Sequence, residues 1–287
     1  MSGERILKPA AIMVFVVMVA ANTGGCKHSE PEGLQFVGGD RLERGGSGAK
    51  NVAVVTHGWM EKGKNDWPED MAKAILRHVD SNDWLCGYFD WTKGAKTISP
   101  ADAATCARDI AGAALAGQIL KHDLNLEHIH LIGHSCGAWT ISESAKILVR
   151  QTNADVHLTF LDAYVPKHFS ADLLGDINTP ADRHYWADHY FTRDYTLEFT
   201  EHNLKHAHNV DVTQIDQIIK DHNFPWKWYY ATIAGRFPKW SFMNDNNLVT
   251  EANGIEYGFA RSKEASNQNW SNSLTFKTGN EAVTIKK

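Results

Sequence analysis

Residues 128–137 read HIHLIGHSCG, and this stretch decides the fold. A β-strand-like apolar run at 128–133 leads directly into Gly133-His134-Ser135-Cys136-Gly137, which matches the pattern G-x-S-x-G. A helix-like segment at 138–149 follows at once. The two glycines allow a sharp strand-to-helix turn that holds a serine in a strained conformation above the strand ends. The stretch predicts Ser135 as a nucleophile, and a serine that merely caps the helix is the alternative.

Strand-like and helix-like segments alternate on both sides of this turn. Such alternation predicts an α/β-hydrolase fold, with a mostly parallel sheet, helices on both faces and right-handed crossovers. With 287 residues the chain is long enough for one such domain, and two equal domains are not expected. The predicted strands cover 51–56, 83–91, 128–133 and 156–161, and the predicted helices cover 68–79, 101–120, 138–149 and 224–234.

The composition along the chain predicts a single catalytic domain with flanking segments. The segment before the domain is rich in Gly, Ser and charge, which is typical of a tether, with room for one edge strand at 34–37. The predicted parts are a signal peptide at 1–25, a polar tether or linker at 26–49, the catalytic domain at 50–240 and a C-terminal hairpin or tail of the same domain at 241–287.

The first residues predict export. Arg5 and Lys8 precede an apolar run at 10–21 that has signal-peptide length and is short for a membrane span. Small residues directly before Cys26 resemble the lipobox of bacterial lipoproteins, although Thr23 stands where that box usually has an aliphatic residue. We therefore expect either a periplasmic or cell-envelope lipoprotein, attached to a membrane through lipidated Cys26, or a secreted protein.

Charge and cysteine content restrict the partners and the redox state. A net charge of −5, without a basic cluster, argues against nucleic acid as a partner. Cys86 and Cys106 are candidates for a disulfide in an oxidising compartment, and they could equally remain unpaired, because sequence does not give the distance between their Cα atoms.

A serine nucleophile in this fold needs an acid and then a base later in the chain. Asp162 directly follows the predicted strand at 156–161 and is the candidate acid, with a plain turn carboxylate as the alternative. The chain has 15 histidines, and His222, in a loop before a predicted helix, is the first candidate for the base. His206 and His208 are the alternatives.

A second strand-to-loop junction predicts the oxyanion hole. His57-Gly58-Trp59 follows the predicted strand at 51–56, and Gly58 lets the backbone approach a substrate carbonyl closely. We expect the backbone N–H groups of Trp59 and Cys136 to converge on the developing oxyanion, whereas an ordinary turn glycine is the alternative. The candidate residues of the substrate pocket are His57, Trp67 and Trp139, with part of 184–199 as a short cover.

Taken together, these regions resemble the pancreatic-type triacylglycerol lipase family. The resemblance implies an α/β-hydrolase that cleaves ester or lipid substrates without a cofactor, with Ser135, Asp162 and His222 as its triad and the amides of Trp59 and Cys136 as its oxyanion hole. The matching stretches are 55–63 running on to Trp67, Phe89-Asp90-Trp91, 129–138, Leu161-Asp162 with Pro166, and His222 ahead of Tyr229-Tyr230-Ala231.

The chain also departs from that family's pattern. Cys136 stands where the family usually has Leu, and too few residues follow 224–234 for its C-terminal β-sandwich, so no colipase partner is implied. The acidic residues from Asp172 onward do not reproduce the family's calcium spacing, so we predict no metal. We expect a lipase or esterase. A phospholipase A1-like, polyester or other acyl-bond hydrolase, and a non-catalytic surface protein of the same fold, are the alternatives.

Overall fold

The fold is known from a computed structural model, which describes residues 33–38, 48–61, 67–122, 125–180, 184–193, 199–215, 221–238, 258–259, 279 and 282–285. The predicted signal peptide at 1–25 and Cys26 lie outside these residues. Within the described ranges, no helix combines the length and the apolar character that a bilayer span requires.

One sheet of eight strands organises the described residues, in the order β1-β3-β2-β4-β5-β6-β7-β8. The first strand pairs antiparallel to the third at one edge, and all other neighbours are parallel. The strands are β1 (Gly33–Phe36), β2 (Asn51–Thr56), β3 (Trp84–Asp90), β4 (His128–His134), β5 (Asp155–Leu161), β6 (Tyr185–Phe191), β7 (His208–Asp211) and β8 (Ala282–Thr284).

Helices cover both faces of this sheet. The first and last pack on one face, and the third, fourth and fifth pack on the other, each group closing its own hydrophobic core. The predicted α/β-hydrolase architecture is thereby confirmed. The helices are α1 (Trp67–His78), α2 (Thr92–Ala95), α3 (Pro100–Cys106), α4 (Gly112–Leu120), α5 (Gly137–Gln151) and α6 (Phe224–Ala234), with a π-helical turn at Ala107–Ala111 and a 3₁₀ turn at Ala171–Leu173.

Alternation along each strand assigns its side chains to the two cores. In β2, Val52 and Val54 enter the core under α3, α4 and α5, whereas Ala53 and Val55 enter the core under α1 and α6. All four are fully buried, which explains why β2 reads as a continuous apolar run. Because every central strand is parallel, β2, β4 and β5 all end at the same edge of the sheet.

The structure corrects one expectation about the later part of the chain. Within the candidate cover at 184–199, residues 185–191 form β6, which lies inside the sheet and is hydrogen-bonded to β5 and β7. Most of the predicted C-terminal hairpin or tail at 241–287 lies outside the described residues, and Ala282–Thr284 of it form β8, parallel to β7. The buried faces of β6 and β7 carry polar residues such as Asp188 and Asn209, so neither strand has a clear apolar run.

The candidate disulfide between Cys86 and Cys106 is not formed. Cys86 is a free, buried thiol of β3 in the core under α1 and α6, and burial raises its pKa to about 12. Cys106 ends α3 in the opposite core, and it is disulfide-bonded, although not to Cys86. Because successive side chains of a strand point to opposite faces, the sheet itself separates the two sulfur atoms.

Candidate active site

Ser135 lies on the turn between β4 and α5. Its φ of 54° is in the left-handed region, and its N–H donates to the Leu161 carbonyl at 3.0 Å across to the end of β5. The turn is tight: a Cβ on Gly137 would lie 2.5 Å from the His57 carbonyl oxygen, so only glycine fits there. This is the geometry of a nucleophile elbow, which lifts a serine side chain above the strand ends.

Asp162 and His222 meet directly. Asp162 follows β5 and is fully buried, and its Oδ2 lies 2.6 Å from His222 Nδ1. Its other oxygen, Oδ1, accepts from the Thr192 N–H at 2.8 Å. Burial raises the pKa of Asp162, and the hydrogen bonds from His222 and Thr192 act against that rise. The carboxylate thus orients the imidazole and leaves its Nε2 available for proton transfer.

The two alternative bases lie elsewhere. His206 Nε2 faces Asp176 at 3.9 Å in a loop, and His208 is buried on β7 beside Trp186. The structure pairs neither of them with Asp162.

Backbone strain is concentrated around this site. Among the described residues other than glycine, a positive φ occurs at Met60, Ser135 and Asp162, with values of 57°, 54° and 49°. They follow β2, β4 and β5, three adjacent strands that end at the same sheet edge. Such conformations cost about 1–3 kcal/mol each and cluster where a fold must aim particular groups.

The loop after β2 packs against the nucleophile. A Cβ on Gly58 would lie 2.6 Å from Ser135 Cβ, so the backbone passes directly beside the serine. Burial raises the pKa of the Cys136 thiol to about 12. Trp59 follows Gly58 in this loop and Cys136 follows Ser135, so the two predicted oxyanion amides belong to the two turns that pack together here.

His57 stabilises this loop through its contacts with Trp91 and Asp90. Its ring stacks on Trp91, with centroids 5.5 Å apart, and its Nε2 lies 3.3 Å from Asp90 Oδ1. Burial lowers the pKa of His57, but the contact with Asp90 and the charge of Glu61 outweigh burial, so the pKa is raised. The Trp91 indole N–H donates to the His57 carbonyl at 2.9 Å and anchors the loop backbone.

Trp67 and Trp139 are core residues, which corrects their predicted role in a substrate pocket. Trp67 begins α1, is 3% exposed and stacks on Trp226. Trp139, in α5, is fully buried in the opposite core, where its indole N–H donates to the Tyr164 carbonyl at 2.8 Å. Their aromatic faces are therefore used in packing. Aromatic character alone does not distinguish a pocket wall from a core residue.

Sequence reasoning missed two residues that contact the site, Glu61 and His134. His134 Nδ1 lies 2.9 Å from Glu61 Oε1, and its Nε2 lies 3.1 Å from the backbone carbonyl oxygen of His222. Each belongs to a quoted motif, Glu61 beside the oxyanion loop and His134 beside the nucleophile. The sequence signal that could have indicated this contact is that the turns after β2 and β4 each carry an ionisable residue beside the motif.

Part of the chain is similar to known lipases. Residues 41–172 match the family model described as Lipase. Pancreatic lipase-related protein 2 of Sus scrofa is 36% identical over 103 residues, which are 34% of this chain and 21% of that protein. Pancreatic triacylglycerol lipase of Mus musculus is 34% identical over 121 residues, 41% of this chain and 24% of that protein. The matched region is therefore similar to pancreatic-type lipases.

The similarity of the chain to these relatives is partial. The matched region spans about a quarter or less of the curated relatives' length, 21% and 24% for the two above. The similar proteins also include one named inactive pancreatic lipase-related protein 1, whose Mus musculus form is 33% identical over 100 residues, 33% of this chain and 20% of that protein. Similarity therefore does not by itself establish activity.

Among solved structures, an esterase from Thermogutta terrifontis is similar, with a TM-score of 0.34 and 10% identity over 53% of this chain and 64% of that one. The fold assignment rests on the sheet and the elbow. In the part of the chain that the structure describes, no three His, Cys, Asp or Glu side chains are grouped to hold a metal ion.

Proposed function

We propose that the chain hydrolyses carboxylic esters through an acyl-enzyme on Ser135. The observation that carries this proposal is the 2.6 Å contact between Asp162 Oδ2 and His222 Nδ1, at the sheet edge where Ser135 occupies the elbow. A buried carboxylate that orients a histidine beside an elbow serine is the arrangement that acyl transfer requires.

In the proposed mechanism, His222 Nε2 takes the proton of Ser135 Oγ as that oxygen attacks the ester carbonyl. Asp162 stabilises the imidazolium that forms, and the N–H groups of Trp59 and Cys136 donate to the oxyanion. His222 then gives its proton to the departing alcohol, which leaves the acyl group on Ser135. Water, deprotonated by His222, attacks the acyl-enzyme and releases the carboxylic acid.

The first test is the variant Ser135→Ala. We expect hydrolysis of p-nitrophenyl esters to fall by about a thousandfold or more, because removal of a triad serine costs several orders of magnitude. Ser170→Ala, at an exposed serine that caps the 3₁₀ turn, is the matched control and should leave the rate unchanged. A Ser135→Ala rate within tenfold of wild type would refute the proposal.

Labelling by a fluorophosphonate separates an enzyme from an inactive relative. We expect folded wild-type protein to be labelled stoichiometrically at Ser135, because the reagent needs an activated serine. If folded protein is not labelled and hydrolyses none of the esters offered, the chain is a non-catalytic protein of the same fold.

Hydrolysis rates measured over a panel of substrates identify the substrate class that the protein prefers. Esters of increasing acyl length, assayed below and above their solubility limit, separate an esterase from a lipase, since a lipase gains rate at the interface. A phospholipid and a polyester added to the panel test the other acyl-bond substrates. We propose a neutral carboxylic ester as the preferred substrate, and a preference for the phospholipid or the polyester would replace it.

We further propose that the protein is exported. The basic residues Arg5 and Lys8 and the apolar run at 10–21 support export. Because Cys106 is disulfide-bonded while Cys86 and Cys136 are free, lipidation of Cys26, the remaining cysteine, is not proposed. Mass spectrometry of protein from its native source should find an N-terminus created by cleavage, and an uncleaved N-terminus would refute export.

A further inference from the structure

His134 connects three parts of the candidate site. Its ring is almost fully buried, with 1% of the side chain exposed, between the oxyanion loop and the His222 loop. Nδ1 contacts Glu61 Oε1 at 2.9 Å, and Nε2 contacts the His222 carbonyl oxygen at 3.1 Å. The rings of His134 and His222 lie 4.7 Å apart, tilted by 35°.

Glu61 extends this connection to the oxyanion loop. Its second oxygen, Oε2, accepts from the Gly58 N–H at 3.1 Å and from the Trp67 indole N–H at 3.0 Å. The Gly58 N–H is adjacent in the chain to the Trp59 amide that we assign to the oxyanion hole. Through Glu61 and His134, one run of hydrogen bonds reaches from that loop to the backbone of the candidate base.

The partners of His134 determine its protons. A carbonyl oxygen only accepts, so Nε2 must carry a proton toward His222. On the other side of the ring, Nδ1 faces Glu61 Oε1, so the imidazole is held between a carboxyl group and a backbone carbonyl.

The two contacts on His222 are complementary. Asp162 holds the ring through Nδ1, and His134 holds the backbone through the carbonyl oxygen. With the ring and the backbone both held, the direction of Nε2 toward Ser135 has little freedom. Misplacement of a reacting group by about 1 Å can cost about a hundredfold in rate, so such a constraint has a kinetic consequence.

We propose that Glu61 and His134 form a positioning pair, whose hydrogen bond and contact with the His222 carbonyl align the His222 loop with the oxyanion loop. The proposal rests on the proposed ester hydrolysis, in which neither residue touches the reacting atoms. The titratable groups facing His134 are Glu61, His222 and Asp162, and His57 faces Glu61 from the oxyanion loop.

Two substitutions of His134 separate its two contacts. His134→Gln places an amide near the position of Nε2 and keeps a donor toward the His222 carbonyl. His134→Asn places its amide near the position of Nδ1 and keeps only the contact with Glu61. We expect His134→Asn to lower kcat by about 10- to 100-fold with KM within about twofold, and His134→Gln to lose clearly less.

His184→Asn is the matched control, because His184 is exposed just before β6, at the end of the sheet opposite to the elbow. It should leave kcat and KM unchanged. Equal losses in His134→Asn and His134→Gln, or no loss in either, would overturn the positioning role. Circular dichroism and thermal unfolding of each variant ensure that only folded protein is compared.

A spectroscopic measurement tests the pair without reference to activity. In protein labelled with ¹⁵N-histidine, His134 Nε2 should show the shift of a protonated nitrogen, assigned by its loss in His134→Asn, because it faces a carbonyl oxygen. An unprotonated Nε2 in wild-type protein would overturn the pair. Wild-type protein that shows the protonated Nε2 but cleaves no ester would refute only the proposed function.

Discussion

At the scale of single residues, the site depends on close backbone contacts as much as on polar side chains. Gly58 passes beside Ser135, and Ser135 itself has a φ of 54°. The strained residue is held by its N–H bond to the Leu161 carbonyl and by the loop packed against it. Hydrogen bonds and packing of this kind offset the free-energy cost of a strained backbone conformation.

Gly58→Ala tests this packing. The added Cβ would lie 2.6 Å from Ser135 Cβ, closer than carbon atoms can approach, so the loop with the Trp59 amide must shift. We expect kcat/KM for p-nitrophenyl esters to fall by about 10²- to 10³-fold, the loss typical of a misplaced oxyanion donor.

Gly117→Ala is the control for Gly58→Ala. A Cβ at Gly117, inside α4, would meet nothing within 4 Å. It should keep full activity and raise the free energy of unfolding by about 0.5–1 kcal/mol, because alanine favours a helix over glycine. If Gly58→Ala kept the activity of Gly117→Ala, the oxyanion loop would be misassigned.

At the scale of elements, the sheet face toward α1 and α6 carries a row of buried polar residues. His130 of β4 stacks on His157 of β5 at 4.0 Å, and His157 Nε2 lies 3.2 Å from Asp188 of β6. Burial lowers the pKa of His128 to about 3 and lowers that of His130 well below its usual value. These histidines are neutral in the folded protein at neutral pH.

The row predicts that acid destabilises the fold. Below pH 6.5 the unfolded chain binds protons on His128 and His130, whereas the folded chain does not, so stability is full above pH 6.5 and declines as the pH falls toward 3. Each such histidine contributes a slope of about 1.4 kcal/mol per pH unit. Urea unfolding at pH 7, 6 and 5 measures this slope.

His128→Gln removes one of these titrating groups. We expect its slope to be smaller than that of wild type by about one proton, or about 1.4 kcal/mol per pH unit. His184→Gln, at an exposed histidine, is the control and should retain the wild-type slope. Identical slopes in all three proteins would show that His128 is protonated in the folded state.

At the scale of the whole molecule, the sheet divides the apolar side chains into two cores, and each free thiol is buried in one of them. Cys86 belongs to the core under α1 and α6, and Cys136 to the core under α3, α4 and α5. Both are completely buried, and burial raises the pKa of each thiol to about 12. Their reactivity therefore reports whether the cores have opened.

We expect iodoacetamide at pH 8 to leave both thiols unmodified in folded protein and to alkylate both in urea. Cys106 should be alkylated only after reduction, because it is disulfide-bonded. Peptide mass spectrometry measures each site separately. Alkylation of Cys86 in the folded protein, or its recovery in a disulfide with Cys106, would contradict the structure.

Local patterns in the sequence were sufficient for the central sheet and for the main site residues. β2 is a continuous apolar run, β4 and β5 keep apolar residues at alternate positions, and each of the three strands is followed by a turn with a polar or ionisable residue. Because parallel strands end at one edge, those turns had to meet. β6 and β7 escaped prediction because their buried faces contain histidines, Asp188 and Asn209, so they lack the hydrophobic period on which the prediction depended.

The sequence by itself determined the α/β-hydrolase class, the Ser135 elbow and the candidate residues Asp162 and His222, because all of these depend on local patterns and on chain order. Only the tertiary structure decided which histidine pairs with Asp162, which sheet face holds Cys86, and that Glu61 and His134 join two loops. Those outcomes depend on distances between segments far apart in the chain. Such distances follow from the register and the packing of the folded sheet, which no local pattern encodes.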